Sequence, residues 1–306
     1  MSNEYIPVIS REALQDKVFV LAGGSTGIGA ALFEILGQNG AYVVVGDVNE
    51  NGASIAKQLC TEYPSTIESK PRAIFMKSDV SDYDENIKLF ETALKIYGRV
   101  DHAIANAGIS EVGNWFHPDL TRESVKERPT TKVLDIDLIG YAYFARIAAV
   151  YLKENRPVNA DRSLTLVSSC AGFKDTPGMF IYTAAKHGVL GLMRSLRPYL
   201  PVTHNIRVNT VSPWFTLSSI TTGVQGQWKQ AGLPVNEGLD VAKVMAGIAA
   251  DGMSNGKNMY VAGKRAWETE EGLLRTEPQW LGEIPSAWLE KGQAVLGDGT
   301  KWIDKP

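Results

Sequence analysis

Tyr182 and Lys186 stand four residues apart in the run S-L-T-L-V-S-S-C-A-G-F-K-D-T-P-G-M-F-I-Y-T-A-A-K-H-G-V-L-G, residues 163–191. On a helix, positions i and i+4 share one face, which puts the ammonium beside the phenol. A free tyrosine titrates near ~10, too high to take a proton readily at neutral pH, and a neighbouring cation favours the phenolate. Ser169 lies thirteen residues before Tyr182, where an apolar strand at 164–167 breaks. Its hydroxyl can hydrogen-bond the oxygen of a reacting alcohol or carbonyl. Together these groups form proton-transfer equipment for carbinol–carbonyl chemistry. The spacing alone arises on many helices by chance, so the reading needs a hydride carrier elsewhere in the chain.

That carrier site is expected near the N-terminus. The apolar run V-F-V-L-A ends in Gly23-Gly24-Ser25-Thr26-Gly27-Ile28-Gly29 and continues as A-A-L-F-E-I-L, a strand, a glycine turn and a helix. Glycines 23, 27 and 29 allow a tight turn and let backbone approach a pyrophosphate at a helix N-terminus. Asp47 ends the next strand, eighteen residues past Gly29. A carboxylate there accepts hydrogen bonds from ribose hydroxyls and repels a 2′-phosphate, so NAD is expected over NADP. The bland alternative is an aspartate that caps a turn. Asp79-Val80 and Asn106-Ala107-Gly108 fall at the ends of the third and fourth strands, where a doubly wound sheet opens its ligand crevice.

The supporting elements alternate strand and helix, and the strands are apolar on both faces. This predicts an α/β fold: one Rossmann-type, doubly wound parallel sheet of about seven strands with helices on both faces. Long helices are expected over 131–153 and 182–199. Residues 1–262 read as one catalytic domain. Residues 263–306 carry four of the seven tryptophans (Trp267, Trp280, Trp288, Trp302) and read as an extension on the core or on a neighbouring subunit.

Composition narrows the partners. A formal net charge of −3 gives no electrostatic case for nucleic acid or an anionic membrane. The two cysteines, Cys60 and Cys170, form no disulfide or metal pattern, and Cys170 reads as a small core residue. The four histidines lack ligand spacing, so no metal is expected. The first residues lack a basic region followed by an apolar run, so no signal peptide is expected. The apolar stretch 133–152 contains Asp135, Asp137 and Arg146 and reads as a core helix, not a membrane span. A soluble cytoplasmic protein is expected.

In this order and spacing, Ala22-Gly23-x-x-x-Gly27-Ile28-Gly29, Asp79-Val80, Asn106-Ala107-Gly108, Ser169 and Tyr182-x-x-x-Lys186 resemble the short-chain dehydrogenase/reductase family over about residues 15–262. Asp47 resembles the NAD-dependent branch that includes 15-hydroxyprostaglandin dehydrogenase. The tail G-L-L-R-T-E-P-Q-W-L-G resembles fungal members acting on secondary metabolites. The resemblance implies Tyr182 as general acid/base, Lys186 lowering its pKa and binding the nicotinamide ribose, and Ser169 polarising the substrate oxygen. It implies that Asp79 and Val80 meet the adenine, and that Asn106, Ala107 and Gly108 support the adenosine. By the same resemblance Pro213, Trp214, Phe215 and Thr216 lie beside the nicotinamide, and the protein forms a homodimer or homotetramer through its two long helices. Three positions depart from the family pattern. Asp137 stands where members carry a water-holding asparagine, Trp214 replaces a glycine, and Ala22 replaces a threonine.

The loops expected over the nicotinamide carry Trp115, Phe116, Phe173, Met179, Phe180 and Trp214, a lining suited to a bulky apolar or aromatic substrate. The expected activity is an NAD-dependent interconversion of a secondary alcohol and a ketone. The alternatives are an isomerase, dehydratase or cyclase on the same scaffold, prompted by Asp137 and Trp214, or a non-catalytic NAD-binding partner protein.

Overall fold

The computed structural model describes residues 3–67 and 70–302. Residues 303–306 of the extension lie outside the described residues, as does the side chain of Trp302. The chain begins with β1 (Glu4–Tyr5), the single-turn helix α1 (Arg11–Leu14), β2 (Val18–Ala22), α2 (Gly27–Gln38), β3 (Tyr42–Asp47), α3 (Asn51–Glu62) and β4 (Ala73–Lys77). Next come α4 (Tyr83–Tyr97), β5 (His102–Ala105), α5 (Lys132–Leu134), α6 (Gly140–Tyr151), β6 (Ser163–Val167), α7 (Phe180–His204) and β7 (Arg207–Pro213). The final elements are α8 (Gln225–Gln230), α9 (Gly238–Ala250), β8 (Asn258–Ala262), β9 (Arg265–Glu268), α10 (Glu270–Leu281) and α11 (Glu283–Leu296).

The sheet order is β1-β9-β8-β7-β6-β5-β2-β3-β4. Strands β2 to β8 run parallel, which matches the seven expected from sequence. Two short antiparallel strands enlarge the sheet to nine: β9 pairs with β8, and β1 pairs with β9. The extension after residue 262 therefore begins inside the sheet. Strands β2, β5 and β6 are buried along their whole length, as central parallel strands covered on both faces must be. Side chains alternate across β2. Phe19 and Leu21 join the core under α2, α3 and α9, while Val18, Val20 and Ala22 join the core under α4, α6 and α7.

Local chemistry sets the element ends. The Asp82 carboxylate accepts from the Glu85 N–H at 2.9 Å to cap α4, which ends at Gly98 with φ 80°. The helix expected over 131–153 is not uniform: residues Asp135–Ile139 form a π-helical segment between α5 and α6. Such single-turn bulges concentrate at functional sites, because the inserted residue redirects one side chain. Here the redirected stretch carries Asp137, wholly buried. The helix expected over 182–199 is longer than predicted, running Phe180–His204. Among the described residues no helix is long and apolar enough to cross a membrane.

Candidate active site

The carboxyl ends of the parallel strands open on a cleft of ≈ 1070 Å³. At one end lies the glycine turn after β2. Gly23 has φ 82°, and a Cβ on it would come within 2.4 Å of the Ala107 backbone. A Cβ on Gly29 would lie 1.8 Å from the Gly23 carbonyl oxygen. Only glycine allows this packing. Gly27, with φ 54°, faces open space apart from Ser218. The first turn of α2 carries no acidic residue, and Thr26 makes no side-chain cap bond. Its N–H groups and dipole thus face the cleft, a cradle suited to a pyrophosphate.

The predicted cofactor residues separate into two sets. Gly23, Thr26, Gly27, Ile28, Asp47, Asp79, Val80, Asn106, Ala107 and Gly108 line the cleft, as do Pro213, Trp214, Phe215 and Thr216. Ser25 and Gly29 do not. Ser25 is fully buried, donating from Oγ to the Asn49 carbonyl at 2.6 Å and accepting from the Gly52 N–H at 3.1 Å, so it braces the turn. Asp47 combines both of its sequence readings. Its Oδ2 accepts from the Ser25 N–H at 2.9 Å and its Oδ1 from the Asn49 N–H at 2.9 Å, while the residue still lines the cleft. Each carboxylate oxygen retains a further acceptor site. Asn106 donates from Nδ2 to the Gly23 carbonyl at 2.6 Å, which ties the strand-end loop to the glycine turn.

At the other end of the cleft stand Ser169, Tyr182 and Lys186. Ser169 follows β6, and its Oγ accepts from the Ala171 N–H at 3.2 Å. The neighbouring Ser168 hydroxyl donates to the Lys186 carbonyl at 2.9 Å and locks this loop onto α7. The Lys186 Nζ is buried 3.2 Å from Asp137 Oδ2 and 5.5 Å from the Tyr182 ring centroid. The Tyr141 ring lies 4.9 Å away on its other side. Asp137 Oδ1 accepts from the Ile109 N–H at 3.0 Å. A Cβ on Gly108 would lie 3.2 Å from Asp137 Oδ2, so the glycine of Asn106-Ala107-Gly108 makes room for the ion pair.

The electrostatics set burial against the cation. Burial pushes the Tyr182 phenol above its ordinary value, and this outweighs the lowering effects of Lys186 and of the Ser169 hydroxyl. Burial also opposes the charge on Lys186, but Tyr141, Asp137 and Tyr182 together hold its pKa above the usual lysine value. The cation acts on the tyrosine in the expected direction without achieving a net lowering.

The predicted substrate wall needs larger revision. Of its six residues only Met179 and Trp214 line the cleft. Phe116 is 62% exposed and packs edge-on against Phe180, itself 46% exposed, at 4.9 Å. Phe173 packs edge-on against Tyr260 at 5.6 Å, and Trp115 is half-buried outside the cleft. The cleft lining also includes Ile109, Ile136, Ile220, Val224 and Trp228. Trp228, on α8, stacks on Phe215 at 4.5 Å with 10° between the rings and lies 5.3 Å from Trp214. It stands in the polar run Q-G-Q-W-K-Q, where no apolar periodicity announces it. Cys170, expected in the core, is a half-buried residue of the cleft wall beside Ser169.

Glu111 was another residue that sequence reasoning missed. From the loop after Gly108 its carboxylate accepts from the Tyr182 N–H at 2.7 Å and the Ile181 N–H at 3.0 Å. It thereby caps the helix that carries Tyr182 and Lys186.

A family model described as short chain dehydrogenase matches residues 17–229. The chain belongs to the short-chain dehydrogenase family. It is therefore an oxidoreductase acting on CH–OH groups of small molecules with a nicotinamide cofactor. It is 32% identical to short-chain dehydrogenase/reductase ascJ of Acremonium egyptiacum, over 86% of this chain and 83% of that one. It is 30% identical to cis-4-hydroxycyclohexanecarboxylate dehydrogenase of Sinomonas cyclohexanicum, over 70% of this chain and 78% of that one. It is 28% identical to 5′-hydroxyaverantin dehydrogenase of Dothistroma septosporum, over 76% of each chain.

Proposed function

We propose that this short-chain dehydrogenase uses NAD to interconvert a bulky, largely apolar secondary alcohol and its ketone, with Tyr182 as general acid/base. The observation that carries the reading is the pairing, within one cleft, of the glycine turn and Asp47 with Ser169, Tyr182 and Lys186. The backbone of Gly23, Thr26 and Gly27 at the start of α2 would hold the pyrophosphate. The free acceptor sites of Asp47 would take the ribose hydroxyls, and its charge would disfavour a 2′-phosphate. When bound, the nicotinamide cofactor supplies the hydride acceptor.

In oxidation, Ser169 holds the substrate hydroxyl and Tyr182 Oη takes its proton as the hydride leaves the carbinol carbon, so that C=O forms. The field of Lys186 favours the phenolate that accepts this proton. Ile109, Ile136, Val224 and Trp228 would exclude water and receive the apolar part of the substrate. The relative named for dehydrogenation of cis-4-hydroxycyclohexanecarboxylate fits a hydroxyl on a ring-bearing molecule. Assembly as a homodimer or homotetramer through α6 and α7 belongs to the same proposal.

The test is incubation with NAD and a panel of bulky secondary alcohols while following reduced-nicotinamide absorbance and ketone product. One NADH per ketone is expected. Turnover of an alcohol with no net NADH would instead support isomerase, dehydratase or cyclase chemistry.

A further inference from the structure

Lys186 lies in a buried pocket with a second full charge. Asp137 is wholly buried on the π-helical segment, and its Oδ2 lies 3.2 Å from the Lys186 Nζ. Its geometry is held from both sides. Oδ1 is fixed by the Ile109 N–H at 3.0 Å, and Gly108 leaves room that any Cβ would invade. The lysine also lies 3.4 Å from the Val167 carbonyl oxygen and 4.9 Å from the Tyr141 ring centroid, so among the described residues Asp137 is the one carboxylate paired with it. A neutral amide of the same shape would keep the Ile109 bond and leave the ammonium uncompensated. In a water-poor site a full charge a few ångströms from the ligand is felt strongly.

We propose that Asp137 is a charge-compensating positioning residue whose pairing with Lys186 makes the buried pair net neutral and thereby lets the site accept the cationic, oxidised nicotinamide that an unpaired lysine would repel. The inference rests on the reading of this cleft as a nicotinamide site with Tyr182 as its base. An unpaired lysine repels the positive ring of the oxidised cofactor and not the uncharged ring of the reduced cofactor. The paired lysine removes that discrimination.

The same carboxylate acts on Tyr182. The groups facing that phenol are Lys186 on its own helix, Ser169 and Cys170 after β6, Asp137 on the π segment and Tyr141 on α6; Glu111 meets its backbone N–H. Of these, Asp137 and Cys170 act to raise the phenol, whereas Lys186 and Ser169 act to lower it. Replacing Asp137 by a neutral side chain removes a raising influence. The phenolate then forms at lower pH, and the rising acid limb of the alcohol-oxidation profile moves toward acid.

The experiment measures the dissociation constants of NAD and NADH separately, by tryptophan fluorescence quenching, for the wild type and Asp137→Asn. The variant should weaken NAD relative to NADH by about tenfold, the effect of one buried charge at this range. The acid limb of its kcat/KM profile should shift to lower pH. If Asp137→Asn does not fold, Asp137→Ser, neutral and smaller, carries the same expectation. An unchanged NAD-to-NADH ratio with both forms still binding would overturn the charge role and leave the cofactor reading standing. Failure of both forms to bind the wild type would instead overturn the cofactor reading, and the proposal with it.

Discussion

Asp47 braces the glycine turn and, in the proposed reading, also selects the cofactor. Its two oxygens already accept backbone N–H groups from Ser25 and Asn49, which fixes the carboxylate at the mouth of the cleft. A group so fixed recognises hydroxyls without first losing rotamer freedom. Asp47→Ala should weaken NAD by about ten- to hundredfold, the range for a charge-assisted hydrogen bond. It should also narrow the preference over NADP, which titration of both cofactors checks; an unchanged preference would remove Asp47 from the ribose contact. At this scale the sequence was informative where a residue's role follows from its position on a strand end or helix face. Tyr182, Lys186, Ser169 and Asp47 all reach the cleft. It was uninformative where orientation decides. Phe116 and Phe180 are as aromatic as Trp214, yet they point to solvent and to each other. Ser25 belongs to the glycine motif, yet every polar contact it makes braces the turn.

At the scale of elements, the parallel strands and the main helices follow from apolar runs and glycine turns, whereas two functional elements escape such patterns. The π segment Asp135–Ile139 keeps helical periodicity on either side, so nothing in residue type marks the extra residue that redirects Asp137. Helix α8 has no buried residue, and its one aromatic side chain is held by stacking on Phe215, by Trp214 and by an Nε1–H bond to the Pro234 carbonyl at 3.3 Å. The rings of Trp228, Phe215 and Trp214 form one cluster in the cleft lining, with Trp228 stacked on Phe215. Offset stacking of this kind adds about 0.5–1.5 kcal/mol beyond buried area. Trp228→Ala should therefore raise KM for a bulky alcohol about tenfold while leaving NADH affinity unchanged. Equal loss of NADH affinity would show that α8 supports the cofactor half of the cleft instead.

Across the whole molecule, the sheet joins the two halves of the site. The glycine turn follows β2, Asp47 ends β3, Ser169 follows β6 and Trp214 follows β7, so one sheet spaces the glycine turn and Asp47 from Ser169 and Trp214. The edge strands β1 and β9 were not legible because two- and four-residue strands carry too little periodicity. Beyond them, α10 is anchored by the buried Glu270, which accepts from Arg194 at 2.8 Å and Arg197 at 2.9 Å on α7. The outer faces of α10 and α11 leave Trp280 and Trp288 exposed. Helix α10 thus braces the later part of the helix that begins with Tyr182 and Lys186.

The most direct test of the account compares wild type with Tyr182→Phe for NADH formation from a competent alcohol, alongside NADH binding by fluorescence. Loss of the phenolic oxygen should lower kcat by at least about a hundredfold, the smaller end of general acid–base contributions, with NADH affinity nearly intact. A variant that turns over within a few fold of wild type would contradict the assignment of Tyr182 as the proton-transfer group.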